Sequence, residues 1–128
     1  MKLNLDCIRD ILLCMEKAEY METLSMPQVY EALPSYSHED INYSALKLAE
    51  AGLIDATVVS CDGVIDTVVK LNDILFEGHE FLANIREATI WNGVKSVAVK
   101  VGSQSLSAII QIASNVVAEH IKAYLNLL

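Results

Sequence analysis

Gly78-His79-Glu80 is the segment that most invites chemistry. A His-Glu-x-x-His pattern would set two imidazoles one helical turn apart over a zinc ion, with the glutamate as base. Position 83 is Ala, so the second ligand is missing, and the other histidines, His38 and His120, lie far off in sequence. His79 and Glu80 therefore read as residues that open a helix, satisfy its free N–H groups and lock the preceding turn. Cys7, Cys14 and Cys61 are odd in number and lack metal-like spacing, so they read as small buried hydrophobes in a reducing cytoplasm. Nucleophilic catalysis needs a Ser or Cys with a His and an orienting group in reach. Neither a Gly-x-Ser-x-Gly nor a Gly-rich phosphate loop occurs. The expectation is a protein without catalytic residues, metal ligands or cofactor. Trp91, the sole tryptophan, reads as a core plug between the helix carrying Gly78–Leu82 and a β-hairpin wing.

The elements that must position these residues follow from periodicity and caps. Asn4 is a good N-cap, and Cys7, Ile8, Ile11, Leu12, Cys14, Met15 and Ala18 recur at helical spacing, predicting a helix over 5–18. The polar stretch 19–24 leaves room for one short strand. Ser25-Met26-Pro27 opens a second helix, 27–33, which Pro34 stops. Ser37 with Asp40 caps a third over 38–51, with Ile41, Ala45, Leu48 and Ala49 inward and Gly52 closing it. Residues 54–60 and 65–71 are rich in β-branched side chains and flank Asp62-Gly63, which predicts a hairpin. Beyond it, helices are expected over 77–86, from Ile90 with Thr89 as cap to Gly102, and from Ser103 or Ser105 to about Leu125. Three helices followed by a hairpin is the order of a winged helix-turn-helix. The predicted fold is thus α+β and mostly helical. It is one domain with a winged-helix core over 1–71 and a helical extension over 72–128.

Charge is unevenly placed. Of a net −8, residues 1–66 carry the whole. A surface that grips a phosphate backbone should be basic, because much of that affinity comes from counterion release by Lys and Arg. At 128 residues, with 53% hydrophobic and 20% charged, the chain has enough apolar matter for a sizeable core. The opening ten residues carry acids and no apolar run, so no signal peptide is read. Residues 101–118 lack charge but contain Ser103, Gln104, Ser105, Ser107, Gln111, Ser114 and Asn115, which argues against a membrane span. A soluble, cytoplasmic protein is expected.

The opening Met1–Leu13, then Leu48-Ala49-Glu50-Ala51-Gly52-Leu53-Ile54, then Gly78–Arg86, then Trp91 with Lys95, resemble a family of phage and prophage proteins catalogued as domain of unknown function 2513. The resemblance implies a winged-helix core and a phage or bacterial cytoplasmic setting, and it transfers no activity. Family members often have Tyr-His on the third helix, where this chain has Tyr43-Ser44. Many have Asp where this chain has Ala83.

Two surfaces remain as candidates. On the third helix His38, Glu39, Asn42, Tyr43, Leu46, Lys47 and Glu50 should point outward. Asn42, Tyr43 and Lys47 would serve DNA readout, while Glu39 and Glu50 on the helix and Asp62 and Asp66 on the wing oppose a phosphate backbone. Tyr43 and Leu46 suit a protein surface better, so Asn42, Tyr43, Leu46 and Lys47 are assigned to a protein partner. The last helix is apolar on more than one face. Leu106, Ile110, Ala113, Val117, Ile121 and Tyr124 are assigned to a homodimer interface. The expected function is a non-enzymatic interaction or self-association module. The alternative is a dimeric DNA-binding regulator using helix 38–51 and the wing 54–71.

Overall fold

The computed structural model describes residues 1–60 and 66–128. In chain order it contains α1 (Leu5–Glu16), β1 (Leu24–Ser25), α2 (Met26–Ala32), α3 (His38–Glu50), β2 (Ile54–Val59), β3 (Thr67–Ile74), α4 (Phe76–Ile85), α5 (Ala88–Val101) and α6 (Leu106–Asn126). The fold is α+β and mostly helical, with three helices and then a wing, the layout of a winged helix-turn-helix. The chain forms two compact units, Met1–His79 and Glu80–Leu128.

In the first unit the caps act as read. Asn4 accepts from the Cys7 N–H at 3.1 Å to start α1. Ser25 starts α2 in a full capping box, in which Gln28 returns a bond to the Ser25 N–H at 2.8 Å, a partner the sequence reading missed. Ser37 starts α3, and Gly52 ends it at φ +76°, a left-handed conformation that suits glycine.

β3 pairs antiparallel with both β1 and β2, giving the order β1-β3-β2. β3 runs on past Leu71 to Ile74 because Ile54 pairs with Ile74 and Asp55 with Asp73, so the polar Asn72-Asp73 lies within the strand rather than beyond it. The Ser60 hydroxyl donates to Asp66. Cys61, the Asp62-Gly63 turn and the start of the second predicted strand at Ile65 lie outside the described residues.

α1 packs on α3 and β3, and α3 packs on the sheet. Ile8, Ile11, Leu12, Val29, Ile41, Ala45 and Leu48 are fully shielded from solvent. Each large aliphatic side chain there contributes on the order of 2 kcal/mol. The inner stripe of α3 differs from expectation at one position. Ser44 is buried and Ala49 only half so, because Ser44 turns inward toward the Cys7 thiol.

The loop between α2 and α3 is tied to α1 by Tyr36, whose hydroxyl donates to Asp10 Oδ2 at 2.6 Å. Burial and this carboxylate push the Tyr36 hydroxyl well above its ordinary pKa, so it donates throughout the physiological range. A half-buried bond to a charged acceptor contributes about 1–2 kcal/mol. Tyr36→Phe should therefore lower the unfolding free energy by about that amount in urea titration, with an unchanged denaturant slope. A variant indistinguishable from wild type would remove this bond from the stabilising set.

In the second unit α5 packs on α6. Trp91, Val94 and Ala98 of α5 are buried, as are Ile109 and Ala113 of α6. The cap of α5 is Glu87, which accepts from the Ile90 N–H at 2.9 Å, not the expected Thr89. Glutamate reaches further than threonine, so the helix starts earlier, at Ala88. Its acidity is strengthened chiefly by the bonds it accepts from the Ile90 and Thr89 N–H groups. Gly102 ends α5 at φ +80°, and Ser105 rather than Ser103 caps α6. Among the described residues no helix is long and apolar enough to cross a membrane.

Candidate functional site

The α3 face is built by α2, α3 and the turn between them. His38 and Glu39 are exposed on its first turn. Asn42, Tyr43, Leu46 and Lys47 are half-buried, and Glu50 is exposed at its end. The structure therefore brings Asn42, Tyr43, Leu46 and Lys47 onto one side of one helix.

Their polar groups are engaged within the chain. The Asn42 amide donates to the Tyr30 hydroxyl at 2.6 Å, and its buried Oδ1 has no partner among the described residues. The Tyr30 ring stacks on His38 at 3.9 Å with only 7° between the planes. Lys47 pairs with Glu50 at 2.9 Å while its ammonium sits 5.2 Å from the Tyr43 ring centre. The bond to Glu50 raises the Lys47 pKa, so the lysine keeps its charge but has it matched locally. The Tyr30–His38–Asn42 cluster escaped the sequence reading because Tyr30 and Asn42 stand twelve residues apart across a turn, an interval no helical period signals.

Charge across this face is acidic. Among the described residues of α3 and the wing, Lys47 and Lys70 stand against Glu39, Asp40, Glu50, Asp55, Asp66 and Asp73. The unit Met1–His79 as a whole holds five basic and fourteen acidic side chains, a net of −9, whereas Glu80–Leu128 comes to +1. The negative charge thus lies on the unit that a winged helix-turn-helix would present to DNA.

A cavity of about 450 Å³ opens in the same unit between the end of α1, residues 18–24 and β3. Glu16, Glu19, Glu22 and Asp73 line it with His79. Among the described residues no group of three or more His, Cys, Asp or Glu is placed to hold a metal ion. Beside the cavity Tyr20 and Met21 stand 94% and 82% exposed, with Met21 at φ +65°. Their only sequence signal is an apolar pair set between Glu19 and Glu22.

His79 is exposed and lies at the end of the first turn of α4, its N–H bonded to the Leu75 carbonyl at 3.0 Å. It does not open the helix, as expected from sequence, because α4 begins at Phe76. The residue of this segment that the fold requires is Gly78. A Cβ there would run into the Leu53 carbonyl oxygen and come within 2.8 Å of Ile74 Cγ2.

In the second unit α6 divides its apolar residues between two sides. Ile109 and Ala113 are buried, and Leu106, Ile110 and Val117 are half-buried. Ile121 and Tyr124 are exposed. Ala113 thus belongs to the packed side and is not available to a partner, which corrects its assignment to an interface. The remaining residues of that assignment stay reachable. A second, shallow groove of about 310 Å³ runs along α5 and α6, lined by Val97, Ile112, Val116 and His120 among others.

Comparison with known proteins adds the following. The model of the family described as hypothetical protein (DUF2513) matches residues 2–105. An uncharacterized protein of Haemophilus influenzae is 32% identical over 120 residues, spanning 93% of this chain and 98% of its own length. No solved structure matches the chain.

Proposed function

The chain belongs to the family of domain of unknown function 2513, and from that premise we propose that it is a non-enzymatic interaction module whose α3 face receives a protein partner. The observation that carries this reading is the state of α3. Its single lysine is matched by Glu50, its asparagine amide is committed to Tyr30, and its outward centre is Tyr43 and Leu46. Aromatic and aliphatic centres bounded by charge suit protein contacts, whereas duplex binding requires unmatched cations. The proposed setting is the cytoplasm of a bacterium, with a phage or prophage gene as the source that the resemblance implies.

Titration of random duplex at physiological salt, followed by fluorescence anisotropy, tests the alternative of a DNA-binding regulator. Binding weaker than about 10⁻⁴ M, the loose end of the usual non-specific range, is expected. Micromolar affinity with a steep salt dependence would reverse the reading. The positive arm uses the full chain as bait in a bacterial lysate beside Tyr43→Glu. A partner of this face is retained by the wild type and lost by the variant, with helicity unchanged in both.

A further inference from the structure

α6 carries a second periodicity beside its packed side. Ile110, Ser114, Val117, Ile121, Tyr124 and Leu128 follow one another at alternating intervals of four and three residues, the a/d spacing of a coiled-coil seam. Ile110 and Val117 are half-buried and the other four are exposed. The only charged residues of the helix, Glu119 and Lys122, lie away from this seam and pair with each other at 3.5 Å. Covering the seam therefore buries no charge. The seam also lies beyond residues 2–105, where the family match ends.

Size decides what covers it. Ile121, Tyr124 and Leu128 of the seam and Leu125 and Leu127 at the positions that flank it are exposed by 53%, 66%, 88%, 58% and 84%, and at no more than roughly 200 Å² for a fully exposed large side chain they present at most about 700 Å² per copy. A standard stable interface takes about 800 Å² from each partner. The seam is also complementary to its own reverse. Laid antiparallel about Glu119, Ile110 meets Leu128, Ser114 meets Tyr124, and Val117 meets Ile121. The smallest residue of the seam then faces the largest in each of two symmetric layers. Laid parallel, tyrosine would face tyrosine and serine would face serine, one layer overfilled and another empty.

We propose that α6 binds a second copy of this chain, antiparallel and two-fold symmetric about Glu119, through the seam Ile110–Ser114–Val117–Ile121–Tyr124–Leu128. A two-fold contact uses the same patch twice, so the seam supplies both halves. This pairing goes beyond the α3 reading and uses none of its residues.

Sedimentation velocity at tens of micromolar tests it on the full chain. The wild type should sediment at about twice the 14.1 kDa of one chain. Val117→Glu and Ile121→Lys should each give a monomer with unchanged helicity by circular dichroism. Combined in one chain, the two should restore the dimer, because antiparallel pairing sets each introduced carboxylate against an introduced ammonium. In a parallel dimer the double variant would instead set like charges together. A monomeric wild type, single variants that remain dimeric, or a double variant that stays monomeric would each overturn the proposal. Should Val117→Glu fail to fold, Tyr124→Glu, at an exposed position, supplies the single-variant readout: a monomer supports the seam, and a dimer overturns it.

Discussion

Gly78→Ala should destabilise the protein by about 3 kcal/mol or more, while Gly93→Ala should leave it unchanged or stabilise it by up to about 1 kcal/mol. Both glycines sit inside helices, and on helix propensity alone both substitutions are favourable, because alanine loses less backbone entropy than glycine. The surroundings separate them. At Gly93 a Cβ meets nothing within 4 Å. At Gly78 it meets the Leu53 carbonyl oxygen, which is backbone, and Ile74 Cγ2 at 2.8 Å. That carbonyl already accepts from the Leu75 N–H at 2.9 Å, so the start of α4 is fastened to the end of the α3–β2 corner. Leu53 and Ile74 are both buried and cannot retreat without opening the sheet. The gain of roughly 1 kcal/mol in propensity is thus opposed by an overlap that must move backbone. In thermal denaturation Gly78→Ala should melt about 10 °C or more below wild type, and Gly93→Ala at or slightly above it. Equal melting temperatures would show that the contact between α4 and Leu53 is looser than described.

The same glycine marks the boundary of what could be read from sequence. Helix existence was legible because it rests on local chemistry. The apolar period from Cys7 to Met15, Pro27 at the start of α2, Gly52 after α3 and Gly102 after α5 each act within one or two turns of themselves. The misread features depend on distant partners. Gly78 looks like an unremarkable helix residue until Leu53 is folded against it. Asn72 and Asp73 look like a strand end until Asp55 and Ile54 pair across from them. Glu87 displaced Thr89 as a cap because both neighbour the helix start and only reach decides. The candidate faces were legible as positions and not as chemistry. The spacing placed Asn42, Tyr43, Leu46 and Lys47 together, but it could not show that Tyr30 holds the asparagine or that Glu50 matches the lysine. On α6 an unbroken run of apolar residues conceals which flank is packed, and Ala113 was placed on the wrong one.

Raising the pH from 9 to 11 should remove about 2 kcal/mol of stability through Cys7 alone. The Cys7 thiol is shielded from solvent between α1 and α3, and burial pushes its pKa from 9.0 to about 11, with the Ser44 hydroxyl opposing and Asp40 and Asp10 adding to the rise. The folded chain therefore holds this proton over a range in which the unfolded chain gives it up. Below pH 9 both states carry the proton and the thiol adds no pH dependence. Between 9 and 11 the unfolded state is favoured by up to about 1.4 kcal/mol per unit. Cys14, also raised by burial, and Tyr36 act in the same direction, so the slope must be assigned by difference. Cys7→Ala supplies that difference. At pH 7 the variant should be the less stable by about 1 kcal/mol, from the small cavity it leaves. As the pH passes 9 the wild type should lose its lead, the two stabilities should cross at about pH 9.7, and at pH 11 the variant should be the more stable by about 1 kcal/mol. Urea titrations of both proteins at half-unit intervals would show this crossing. Parallel curves from pH 7 to 11 would mean that the thiol ionises in the folded state as readily as in the unfolded one, and that the α1–α3 contact admits water.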